Sequence, residues 1–276
     1  DPYFTAQTVA KEQGIIGQEI KMYDDSPDWR VMFNMLGGMY QNHPVKIDIA
    51  GTVETIAQIT AEKLYQVYNV FYSLGNMALC VVGNVTPEQV LKICDKMLKN
   101  NEKHEIKNYF EDEPYEIAEP YVEQNFPVSM PMFNLGFKEK PDSVLTEKQL
   151  AETNILLSML ASPASSLYRS LMDANLINST FSYELFDGPG YCSVIFGGES
   201  RAPKQAAEMI KQFISKYKAN GLNKEDFDIA RKSVYGDVIS SLNSVSSIAN
   251  AILDYHFNDN EMFKYINAVE NASFED

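Results

Sequence analysis

Residues Asn101 to Pro120 place the strongest constraint on how this chain can fold. The stretch is polar and acidic and contains Pro114 and Pro120. Such a composition interrupts helices and strands and commonly joins domains. A hydrophobic pattern precedes it and another starts afresh after it. The expected organisation is therefore a first domain over 1–100, a linker over 101–120 and a second domain over 121–276. A length of 276 residues accommodates two ordinary domains.

The pattern within each part predicts mixed structure. In the first part, Ile15, Ile16, Ile20 and Met22 form an apolar stripe at helical spacing, so Lys11 to Asp25 reads as a helix. Ser26-Pro27-Asp28 starts a second helix, whose stripe of Val31, Met32, Met35, Leu36 and Met39 runs to about Tyr40. Thr60 is positioned to cap a helix carrying Leu64, Tyr65, Tyr68 and Phe71, and Thr86-Pro87-Glu88 opens another. Between them, Asn76 to Val85 is a short continuous apolar run, the pattern of a buried central strand. In the second part, Tyr121 to Phe126 and Met130 to Phe137 read as strands. Thr180 to Phe186 and Tyr191 to Gly197 form a hairpin across Asp187-Gly188-Pro189-Gly190. Five helices are expected around them, over 146–161, 164–175, 202–219, 223–241 and 243–257. A few strands followed by many helices indicates an α+β fold.

Two features set the first helix apart. Gly14 and Gly17 stand in its interior, where each costs about 1 kcal/mol relative to Ala, and such glycines often admit a close backbone neighbour. Glu12 and Glu19 are two turns apart and share a face. The run Glu12-Gln13-Gly14-Ile15-Ile16-Gly17-Gln18-Glu19, followed by Met22-Tyr23-Asp24-Asp25 and Pro27-Asp28, resembles the downstream half of the metal site in pitrilysin/insulinase-type zinc peptidases. These enzymes carry an inverted His-x-x-Glu-His motif. His43-Pro44, Gly51-Thr52, Ile59-Thr60, Asn76-Met77 and Val82-Gly83-Asn84-Val85 follow in the order that family shows. The resemblance implies that Glu19 is a zinc ligand and Glu12 its helper. Their α-carbons lie about 10.5 Å apart along a helix axis. A zinc–carboxylate bond spans only about 2.0–2.2 Å, so Glu12 orients or adds charge from behind rather than coordinating.

The histidines His43, His104 and His256 form no His-x-x-Glu-His. The zinc-binding pair and the general-base Glu of the family are missing from these residues. His43 reads as a loop residue before a proline. The second part resembles the family's non-metal domain, through Ser165-Ser166-Leu167-Tyr168 and the hairpin that follows. Many relatives hold substrate there with an Arg and a Tyr; Met172 and Asn178 occupy those positions, and no catalytic role is carried over. Gly188 and Gly190 read as hairpin-turn residues.

The resemblance thus implies two homologous domains, each a mostly antiparallel sheet covered by helices. The first is expected to be N-terminally truncated and the second C-terminally truncated. The implied function is part of a zinc endopeptidase acting on peptides or unfolded polypeptide. The alternative is a non-catalytic homologous subunit that pairs with an active half, in a homo- or heterodimer, for substrate recognition or chamber closure. Zinc is expected in the parent protein, but neither tight zinc binding nor peptide cleavage in this chain as it stands. A net charge of −15 argues against nucleic acid and anionic membranes as partners. Cys80, Cys94 and Cys192 are too sparse for a disulfide framework, which points to a reducing cytoplasm.

Overall fold

The computed structural model describes residues 2–98, 106, 109–139 and 144–275. The chain opens with two helices, α1 (Ala6–Asp24) and α2 (Pro27–Met39). A 3-10 turn over Pro44–Lys46 follows, then the short α3 (Val53–Ile56), α4 (Ala61–Phe71) and α5 (Pro87–Met97). Strand β1 (Met132–Glu139) leads to α6 (Glu147–Ala161) and α7 (Ser166–Asp173). The hairpin β2 (Ser182–Gly188) and β3 (Tyr191–Glu199) comes next. The chain then runs through α8 (Pro203–Asn220), α9 (Lys224–Ser241), α10 (Val245–Phe257) and α11 (Met262–Asn271). Helix starts follow local chemistry. Thr60 and Thr86 accept hydrogen bonds from Lys63 N and Gln89 N, as their spacing predicts, and Thr146 caps α6 with Gln149 closing a capping box.

Two compact units form, and they do not follow chain order. One comprises 1–26 and 47–110; the other comprises 27–46 and 111–276. Helix α2 therefore belongs to the second unit although unit-one segments flank it in sequence.

The second unit is α+β. Its sheet is antiparallel with order β1-β3-β2. Register places Phe133, Leu135 and Phe137 on one face with Val194 and Phe196, and all of these but Phe137 join Leu157, Leu160, Leu167, Leu171 and Ile210 of α6–α8 in one core. A second cluster joins α6 to α9 and α11 through Ile155, Met159, Ala230, Tyr265 and Val269. Helix α11 is absent from the sequence-based expectation, although Met262, Tyr265, Ile266 and Val269 carry a helical period and are all buried. On the opposite sheet face, Leu36 and Met39 of α2 and the following Tyr40 pack near Phe186 and Tyr191. Gly136 makes this possible, since a Cβ there would overlap Met39 Cε and lie 3.1 Å from Met35 Sδ.

The first unit differs from the expected sheet-containing domain. Among the described residues, the three strands all lie in the second unit, so Asn76 to Val85 is not the expected buried strand. Met77, Leu79 and Val81 are exposed while Ala78, Cys80 and Val82 are half-buried. This alternation is that of a strand. No neighbouring segment among the described residues supplies a ladder, so none forms. Tyr121 to Phe126 likewise forms no ladder. There the chain lies along α2 instead, with Glu119 N donating to Gly38 O and Asn34 to Gln124.

Candidate functional site

Helix α1 carries the two glutamates singled out by the sequence. A capping box between Thr5 and Thr8 starts it. Gln13 anchors it within its unit by donating to the carbonyls of Ile56 and Ile59, at 3.1 and 2.9 Å. Glu12 and Glu19 are both exposed. Glu19 Oε1 accepts a hydrogen bond from the Tyr23 hydroxyl at 2.9 Å, and this bond pushes the Tyr23 pKa up. The tyrosine thereby holds one carboxylate oxygen and leaves the other open. Gly14 and Gly17 do not serve a close packing contact here: a Cβ at either position meets nothing within 4 Å.

The donor set for a metal is incomplete. Among the described residues, no three His, Cys, Asp or Glu side chains converge into a group able to hold a metal ion. A catalytic zinc normally takes three protein ligands. One exposed carboxylate with a helper two turns away does not fit zinc by itself. His43 is buried and structural, as expected of a loop histidine. Its Nδ1 accepts from Val45 N, which leaves Nε2 to donate to Pro189 O at 3.0 Å. His256 lies exposed on α10. His104, and the expected linker over most of its first half, lie outside the described residues.

Sequence reasoning missed a buried polar knot in the second unit. Glu113 accepts from the backbone N–H groups of Gln41, Asn42 and His43, at 2.8, 2.7 and 2.7 Å. Lys138 pairs with it at 2.5 Å and also donates to Met39 O and Pro114 O. Burial alone would push the Glu113 carboxyl up. Lys138 and the three amides outweigh it and hold the pKa down to about 2. The available signal was register. Lys138 alternates with Gly136 and Asn134, on the face that α2 covers.

The family resemblance also drew attention to Met172 and Asn178. Met172 is exposed at the end of α7. Asn178 Nδ2 donates to Glu199 Oε2 at 2.6 Å, while its Oδ1 accepts from Thr180 N. It organises the sheet edge rather than presenting a free cation or hydroxyl.

A family model described as "Peptidase M16 inactive domain" matches residues 58–234. The chain belongs to the M16 peptidase family. This is the pitrilysin/insulinase-type group that the α1 sequence resembles. Among M16 relatives, the Bacillus subtilis protein named "Uncharacterized zinc protease YmfH" is 37% identical over 282 residues, covering 100% of this chain and 66% of the relative. The B. subtilis "Probable inactive metalloprotease YmfF" is 30% identical over 138 residues, covering 49% of this chain and 32% of that protein. A crystal structure of an M16-like peptidase from Alicyclobacillus acidocaldarius superposes with TM-score 0.93 at 30% identity. It is covered to 66%, against 99% of this chain. The chain thus spans about two thirds of the length of YmfH and of the Alicyclobacillus protein.

Proposed function

We propose that this chain is part of a zinc-dependent endopeptidase of the pitrilysin/insulinase type that hydrolyses peptides or small proteins. Glu19 contributes one metal ligand and Glu12 supports it from the preceding turns. The remaining ligands come from polypeptide outside these residues. On this reading 1–100 and 121–276 derive from two homologous peptidase domains, and residues 1–276 alone neither hold zinc tightly nor cleave peptides. The observation that carries the reading is α1 itself. It presents two glutamates on one solvent-facing side, with Tyr23 fixing one oxygen of Glu19, in a chain of a family whose relatives are named zinc proteases. We place the protein in the cytoplasm, where its three free cysteines remain reduced.

A second reading is favoured by one specific observation. The matched model is that of the inactive domain, and the family resemblance implies Met172 and Asn178 where many relatives carry a substrate-holding Arg and Tyr. A non-catalytic half that pairs with an active homologue would need neither residue. Zinc analysis of the complete gene product, with a quenched fluorescent peptide assay, separates the two. The enzyme reading expects stoichiometric zinc and chelator-sensitive turnover, both lost in Glu19→Gln. Absence of zinc and turnover from the complete product, restored only by adding a homologous half, establishes the second reading.

A further inference from the structure

Residues 111–124 cross the C-terminal end of α2 without forming a helix or strand. Glu113 is the buried residue of this segment, Pro114 is half-buried and the others are exposed. Its attachment to the second unit therefore centres on one side chain. Other parts of the chain build the seat for that side chain. The consecutive N–H groups of Gln41, Asn42 and His43 converge on one place, and such a nest of amides binds anions. Lys138 of β1, with a side chain only 3% exposed, supplies the positive charge. Glu113 divides its oxygens among them: Oε1 accepts from Gln41 N and Lys138 Nζ, and Oε2 from Asn42 N and His43 N. The segment adds hydrogen bonds outside this seat, from Asn42 Nδ2 to Asp112 O, from Gln41 Nε2 to Glu116 O and from Glu119 N to Gly38 O, at 2.8, 2.9 and 2.7 Å. It runs so close to α2 that a Cβ on Gly38 would lie 3.0 Å from Glu119 O and 3.2 Å from Val122 Cγ2.

We propose that 111–124 is a strap closed over a carboxylate-binding site, which Glu113 fills as an internal ligand until an acidic side chain of another polypeptide takes its place. The seat selects a carboxylate. One cation and three fixed N–H donors match two carboxylate oxygens, whereas a neutral amide would leave the buried Lys138 without a countercharge. A polypeptide is the fitting source, because the bonds around the seat go to main-chain carbonyls, at Asp112 and Glu116, that any chain lying there supplies. Displacement is open to the strap because it has a single buried anchor. Opening breaks that anchor and a few outlying bonds while the β1–β3 ladder stays intact. The strap is thus an autoinhibitory contact of the second unit. The inference involves no metal and is independent of the peptidase reading.

The test uses the complete gene product and a labelled peptide reproducing residues 110–124, blocked at both ends so that it carries no terminal carboxylate. Binding is read by fluorescence anisotropy, with chelator present so that no peptide is cut. The Glu113→Ala protein, whose seat is vacated, is expected to bind this peptide about tenfold or more tighter than the same peptide carrying Glu113→Gln. Wild-type protein is expected to bind it about tenfold or more weaker than Glu113→Ala does, because its own strap competes at high effective concentration. Hydrogen exchange of the wild-type protein checks the opening without a variant. The amides of Gln41, Asn42 and His43 are expected to exchange together, and well before those of the β1–β3 ladder. Gly38→Ala crowds the strap backbone, leaves Glu113 and Lys138 unchanged, and is expected to speed that exchange. Equal binding of the Glu and Gln peptides overturns the proposal, and so does equal binding by wild type and Glu113→Ala. Amides that exchange only with the ladder, in wild type and in Gly38→Ala, overturn it as well. Displacement of the peptide by millimolar acetate assigns the seat to a small carboxylate and overturns the polypeptide ligand.

Discussion

At the scale of single residues, two glycines and one ion pair set measurable limits. Gly198 has φ +147°, and a Cβ there would lie 2.9 Å from Phe181 Cα, a backbone atom that cannot step aside. A Cβ at Gly136 would instead meet the ends of flexible methionines. Gly198→Ala is therefore expected to lower the melting temperature more than Gly136→Ala, whose overpacking costs about 1–3 kcal/mol. Comparable shifts would contradict the distinction between backbone and side-chain neighbours. Lys138→Met leaves Glu113 buried without its cation and should destabilise the second unit by about 3–5 kcal/mol at neutral pH. The sign with pH follows from the depressed Glu113 pKa. Its contribution is complete above the ordinary Glu value and is lost as pH falls from there through about 2. The gap between wild type and Lys138→Met should accordingly narrow in denaturant titrations between pH 5 and pH 2. A constant gap across that range would remove Glu113 as the cause.

At the scale of elements, sequence legibility tracked whether a segment's partner was local. Helices α2, α4, α5, α6 and α8 to α10 and the β2–β3 hairpin were readable because caps, stripes and the Pro189-Gly190 turn specify them within a few residues. The run over 76–85 read as a strand and kept a strand's alternation, but a ladder needs a neighbour that local pattern does not supply. Its backbone makes the test direct. Among the described residues the N–H groups of Met77 to Val82 have no backbone acceptor, so they should exchange with deuterium almost as freely as an unfolded chain. Strong protection in residues 1–276 would mean that another copy or segment pairs with them. The glutamates of α1 stand out through the family pattern alone, since an acidic helix face is ordinarily just solvated. The two interior glycines supply a related test. With nothing near their Cβ positions, Gly14→Ala and Gly17→Ala should each stabilise this chain by about 1 kcal/mol. If either change instead destabilises the protein, some additional element packs on that helix face.

At the scale of the whole molecule, the two units hold very different cores. In the first, Val9 and Ile20 are the fully buried apolar side chains among the described residues, while Leu79, Leu91, Ile93 and Met97 stand at 60–67% exposure. The second holds three contiguous clusters. Thermal unfolding of residues 1–276 should therefore proceed in two steps, with the first unit melting at lower temperature and the exposed apolar surface driving association. A single cooperative transition with a monomer by light scattering would refute this. The placement of α2 carries a consequence for how the protein is made. Its Met39 carbonyl meets Lys138 across 99 positions of sequence. On the ribosome, at about 5–20 residues per second, the apolar stripe of α2 emerges roughly 5–20 s before the strand that will cover it. Throughout that interval the nascent chain displays a methionine-rich helix without the strand it packs on, a surface open to any chaperone or neighbouring chain that binds exposed apolar side chains.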